Sequence, residues 1–122
     1  MLNGSRCAAL GFLFSLCVPA NAQIVPDSGS YYLPACRNLS TDARPGSDES
    51  VLETWYCAEE IETLNGLARL LPADARFCKP VTIPVPEMAN VAVRYMDAHQ
   101  DKLNEPFTIL ATAAFHDAWP CP

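Results

Sequence analysis

The chain has 122 residues, room for one domain, and half of them are apolar, which excludes a disordered chain and allows a hydrophobic core. Eight Lys and Arg stand against fourteen Asp and Glu, a formal charge of −6, and this balance argues against nucleic acid or an anionic membrane as partner. Six cysteines in so short a chain point to an oxidising compartment or a metal.

In chain order, Arg6 precedes an apolar run from Cys7 to Val18, followed by Ala20-Asn21-Ala22. This is the layout of a signal peptide over residues 1–22, cleaved after Ala22. The run is well short of the ~20 apolar residues an α-helix needs to span a bilayer. Leu16 before Cys17 makes a poor lipid-attachment site. The expectation is a soluble periplasmic protein beginning at Gln23, without membrane insertion after cleavage. Loss of the leader removes Cys7 and Cys17 and leaves Cys36, Cys57, Cys78 and Cys121, an even number that predicts two disulfides. Each bridge adds about 2–4 kcal/mol in a domain whose core alone is marginal. No C-x-x-C pair occurs and neither His99 nor His116 has ligand spacing to a cysteine pair, so no metal or other cofactor is expected.

Residues 23–48 carry Pro26, Gly29, Pro34, Pro45 and Gly46 and predict an extended N-terminal segment with one short helical turn around Leu33 to Leu39. The helical domain follows over 49–122. Its first helix is expected from a capping box at Ser50-x-x-Glu53 to about Leu71, with Cys57, Ile61, Leu64, Ala68 and Leu71 as its buried stripe and Trp55 packed at its start. Pro72 to Pro84 is a connection holding Phe77-Cys78-Lys79-Pro80. A second helix follows Val85, with Pro86 in its first turn and Met88, Val91, Ala92, Tyr95 and Met96 on its apolar face. Ala98 to Lys102 turns the chain. The third helix starts near Asn104 to Pro106, buries Phe107, Leu110, Ala111, Ala114 and Ala118, and stops at Pro120. The fold class is all-α: a small disulfide-stapled bundle of three main helices.

Four cysteines allow three connectivities, and helix order favours one. Cys57 lies about 21 Å below the end of the first helix at 1.5 Å per residue, whereas Cys78 follows that end closely. Cys121, after the third helix, finishes at the same end as Cys78. The favoured pairs are Cys36 with Cys57 and Cys78 with Cys121.

Catalytic constellations are absent. His116 beside Asp117 reads as a solvated or capping pair near a helix C-terminus, and Cys121, the cysteine nearest a histidine, is expected to be oxidised. Glu59 and Glu60 are helix neighbours pointing about 100° apart, unlike a sugar-cleaving pair. The chain reads as a binding protein and not an enzyme.

The signal peptide, Cys57 in the first helix, Phe77-Cys78-x-Pro80, Arg94-Tyr95-Met96-x-x-His99, and then Leu103, Pro106, Leu110, Ala114-Phe115 and Ala118-Trp119-Pro120-Cys121 together resemble the Rap/Tai family of immunity proteins. That family is similar in general build to small periplasmic helical proteins of the HdeA type. One departure lies in the first helix, where Cys57-Ala58-Glu59-Glu60-Ile61 stands in place of the frequent Cys-x-Gly-Tyr-Ile. The resemblance implies an exported, all-helical, often homodimeric protein that neutralises a peptidoglycan amidase effector of type VI secretion by occluding its active site. Under it, the Pro72 to Pro84 connection is the segment presented to the effector, and Glu59, Glu60 and Glu62 steer a basic partner. No family motif assigns individual partner-binding residues. Two other readings compete: a periplasmic acid-stress chaperone of the HdeA type, which two bridges and the lack of a histidine cluster disfavour, and an orphan envelope protein.

Overall fold

The computed structural model describes residues 24–41, 44 and 46–122; the expected signal peptide and its cleavage site lie outside the described residues. Four α-helices occur among the described residues, and no strand. They are α1 (Gly29–Ser40), α2 (Asp48–Leu67), α3 (Val85–Ala98) and α4 (Phe107–Ala118), with one 3₁₀ turn at Gln100–Lys102. The fold is all-α, and the three expected helices are joined by a fourth.

That fourth helix, α1, occupies the segment whose prolines predict an extended chain. Pro34 inside it costs about 3 kcal/mol through a lost backbone bond and a steric clash. Three tertiary features offset the cost. Ala35 and Cys36 are buried. Cys36 is bonded to Cys57 of α2, with Cα atoms 5.5 Å apart, a staple of about 2–4 kcal/mol. The unpaired donors of its first turn reach the chain before α4: the Gly29 N–H donates to the Glu105 carbonyl at 3.0 Å and the Ser30 N–H to that of Leu103 at 2.9 Å. Gly29 is required by this approach, because a Cβ there would collide with Leu110 Cδ1 and lie 3.3 Å from both Leu103 O and Met96 Sδ. Asp27 turns the chain into α1 at φ 62°, a left-handed conformation that Asp adopts more readily than most residues.

Helix α2 begins two residues before the predicted Ser50, and its cap differs. Ser47 Oγ accepts from the Ser50 N–H at 3.2 Å, and Ser50 Oγ accepts from the Ser47 N–H at 3.1 Å. Ser50 therefore fills the third helical position of the box, and Glu53 takes no part in it. The helix stops at Leu67, short of the predicted Leu71, and a tight turn follows in which the Leu70 N–H donates to Leu67 O. Cys57, Ile61, Leu64 and Ala68 form the buried stripe as expected.

Helix α3 carries Pro86 in its first turn, and Met88, Ala89, Ala92, Val93 and Met96 are buried, with Val91 and Tyr95 half-buried. His99 ends it: its Nδ1–H donates to the Tyr95 carbonyl at 2.7 Å and its ring stacks on Tyr95 at 4.0 Å. In α4 the buried stripe runs Phe107, Leu110, Ala111, Ala114 and Phe115; Ala118, expected on it, is exposed, while Trp119 packs against the core. Arg37 of α1 and Asp97 of α3 form a bidentate ion pair on the surface, a solvent-screened contact of roughly 1 kcal/mol or less. Among the described residues no helix is long and apolar enough to cross a membrane.

Candidate functional site

Between α2 and α3 the chain spends more than a dozen residues without a helix, yet residues 72–84 are held at almost every step. The Ala75 and Arg76 N–H groups donate to Pro72 O at 2.9 and 2.8 Å. His116 of α4 donates Nδ1–H to the Arg76 carbonyl at 2.7 Å. Phe77 is fully buried against Phe115, ring centroids 5.2 Å apart. The Cys78 N–H donates to Trp119 O at 2.8 Å, and Cys78 is bonded to Cys121 with Cα atoms 4.9 Å apart. Beyond that clamp the chain closes a turn of its own. The Ile83 N–H donates to Pro80 O at 3.1 Å, and Lys79 Nζ reaches back to Ile83 O at 3.1 Å and Pro80 O at 3.3 Å. At the tip of this turn Val81 is 96% exposed.

A branched apolar side chain almost fully in water, on a loop fixed by a disulfide and prolines, has its ordering cost already met before any partner arrives. Beside it lies a groove of about 560 Å³ lined by Asn65, Gly66 and Arg69 of the α2 end and by Phe77, Lys79 and Val81 of the loop. Arg69, Arg76 and Lys79 give this end positive charge.

The outward side of α2 has the opposite character. Val51, Leu52, Trp55 and Tyr56 are exposed, Trp55 by 53%. The helix therefore has two apolar sides, only one of which meets the core. Sequence spacing assigns Trp55 to packing; the structure places it in solvent, because Cys57, Ile61 and Leu64 set the inward direction and Trp55 lies off that stripe. Glu59 and Glu62 are exposed on the outward side, whereas Glu60 is half-buried and lines a small cleft with Asp27, Tyr32 and Phe107. The Tyr32 hydroxyl is pushed above its usual 10.0 by burial first and by the Glu60 and Asp27 carboxylates second.

Both histidines are struts. His99 closes α3, and His116 bonds across to the loop instead of standing free beside Asp117. The four cysteines come together in the connectivity that helix order favours. Val81 is not singled out by sequence reasoning, which treats Pro72 to Pro84 as one connection; its one signal is the framing by Pro80 and Pro84. No group of three or more His, Cys, Asp or Glu side chains that could hold a metal occurs among the described residues.

The described residues form an all-α, doubly stapled scaffold with a tethered apolar tip at Val81 and an exposed aromatic face at Trp55 and Tyr56. The family model of the Rap1a immunity proteins matches residues 28–121, nearly the whole described chain. The chain belongs to the Rap1a immunity protein family. No curated protein and no solved structure matches it.

Proposed function

We propose that this chain is a periplasmic immunity protein that neutralises a peptidoglycan amidase effector of type VI secretion by placing the residue 79–84 turn in its substrate cleft. Membership of the immunity family supports a role against an effector. The observation that carries the mechanism is Val81, 96% exposed on a loop clamped by Cys78–Cys121 and closed by Lys79. Occlusion asks for no catalytic group on the inhibitor. It asks for a shape that does not collapse or fray on contact, and the tethers of residues 72–84 supply it. The leader is cleaved after Ala22, and oxidation in the periplasm closes the clamp that aims the tip.

The test is inhibition of candidate peptidoglycan amidases by the oxidised protein recovered from the periplasm after expression of the full chain. Stoichiometric loss of cleavage of purified peptidoglycan is expected with the cognate enzyme. Val81→Asp should weaken inhibition by about 30-fold or more while leaving the fold intact. Tight binding without loss of amidase activity would sink the occlusion mechanism.

A further inference from the structure

Helix α2 is unusual in charge as well as in having two apolar sides. It holds Asp48, Glu49, Glu53, Glu59, Glu60 and Glu62 and no Lys or Arg. Trp55, Glu59, Glu62 and Gly66 recur at intervals of four, three and four, so they lie along one face of the helix. That line begins at the exposed indole and ends in the groove beside Val81, because Gly66 is one of the groove's lining residues. Trp55 and Gly66 are separated by about 17 Å at 1.5 Å per residue. A protein interface of ordinary size covers about 800 Å² per partner, enough to span both.

The geometry points to a second contact for the same effector: the Trp55 to Gly66 face of α2 docks beside the cleft that the Val81 turn enters, with its Trp55 to Glu62 stretch on a basic surface that holds an apolar pocket and its Gly66 end at the cleft's rim. This rests on the inhibitory reading above and adds the chemistry of the partner. Trp55 has exposed Val51 and Leu52 a turn before it and Glu59 and Glu62 after it along the helix, which fits an apolar pocket flanked on one side by Lys and Arg, since desolvated Trp anchors affinity while the neighbouring charge speeds encounter. A second copy of this chain fits poorly, because two such helices face to face would set carboxylates against carboxylates. Gly66 is a place to probe the surface: a Cβ there would meet nothing within 4 Å, so the fold does not require glycine and a bulky side chain can be added without disturbing the core.

The test is the association and dissociation kinetics of the full, oxidised protein with the amidase that it inhibits, across salt concentrations. Trp55→Ala is expected to weaken binding about tenfold or more, chiefly through faster dissociation. The double variant Glu59→Gln with Glu62→Gln should slow association at low salt and flatten its salt dependence. Gly66→Tyr should block binding, and far-UV circular dichroism and melting should show all three variants folded. If wild type inhibits and Val81→Asp does not, yet the α2 variants bind with unchanged rates, this inference is overturned and the inhibitory reading stands. If wild type inhibits no amidase, both fall. A Trp55→Ala change that alters oligomeric state but not effector affinity would assign the face to self-association and overturn the proposal.

Discussion

The loop of residues 72–84 and the outward face of α2 both expose apolar side chains, but they are held in place by different means. Every backbone bond that shapes α2 lies within the helix or its own Ser47–Ser50 cap, so Trp55 is presented by a local structure. Val81 is presented by contacts with distant parts of the chain: Trp119, Cys121 and His116 all lie at the far end of the sequence. The helical face survives damage to the loop's tethers, whereas the loop is only as ordered as those tethers. Charge divides them in the same way, with carboxylates along α2 and Arg69, Arg76 and Lys79 around the loop.

The difference can be broken most strongly by cutting the disulfides. Closing a loop of 43 residues in place of 21 changes the chain entropy by only about 0.6 kcal/mol, so burial decides which bridge matters more for the fold. Both sulfur-bearing residues of Cys36–Cys57 are fully buried, and their double replacement by Ala should lower stability beyond the usual 2–4 kcal/mol, toward unfolding. Replacement of Cys78 and Cys121 by Ser should cost about 2–4 kcal/mol in a denaturant titration and should raise hydrogen exchange at positions 78 and 83 while leaving that of α2 unchanged. Equal loosening of both regions would remove the distinction.

Lys79→Met takes a charged donor from two carbonyls and should cost about 1.5 kcal/mol, seen as faster exchange of the Ile83 amide. His116→Ala removes the strut to Arg76 O, with a loss of about 1 kcal/mol by thermal melting. A change of opposite sign is expected on the helix: Gly66→Ala should raise stability by about 0.5–1 kcal/mol, because nothing opposes the added methyl. The smallest effect is alkaline. Tyr32 holds its proton more tightly when folded than when unfolded, so its contribution is complete below pH 10.0 and is lost as pH rises through the higher folded value. Tyr32→Phe should flatten that decline in stability measured by denaturant titration above pH 10.0.

The same division explains what the sequence makes legible. Helices α3 and α4 can be read from residue spacing because their apolar faces, with Pro86 and Pro106 at their starts, depend on local order. Helix α1 cannot, since Pro34 opposes it locally and its support comes from Leu103, Glu105 and Cys57. Trp55 is misread for a related reason: one stripe of α2 suffices for the core, and spacing alone does not say that a second apolar stripe is left over. The disulfide pairing is accessible because helix length converts directly into distance. The exposure of Val81 is not, because residue spacing does not say which way the tip of a closed Pro80 to Ile83 turn faces.

The most direct test of occlusion is competition within the cleft. Binding of the oxidised protein to its cognate amidase should be measured with the enzyme free and with its cleft filled by a non-cleavable peptidoglycan stem peptide. The account predicts that the peptide and the protein exclude one another, and that Val81→Asp displaces the peptide about 30-fold less effectively or worse. Simultaneous binding of both, with the enzyme still inhibited, would show that the Val81 turn does not enter the cleft and would contradict the account.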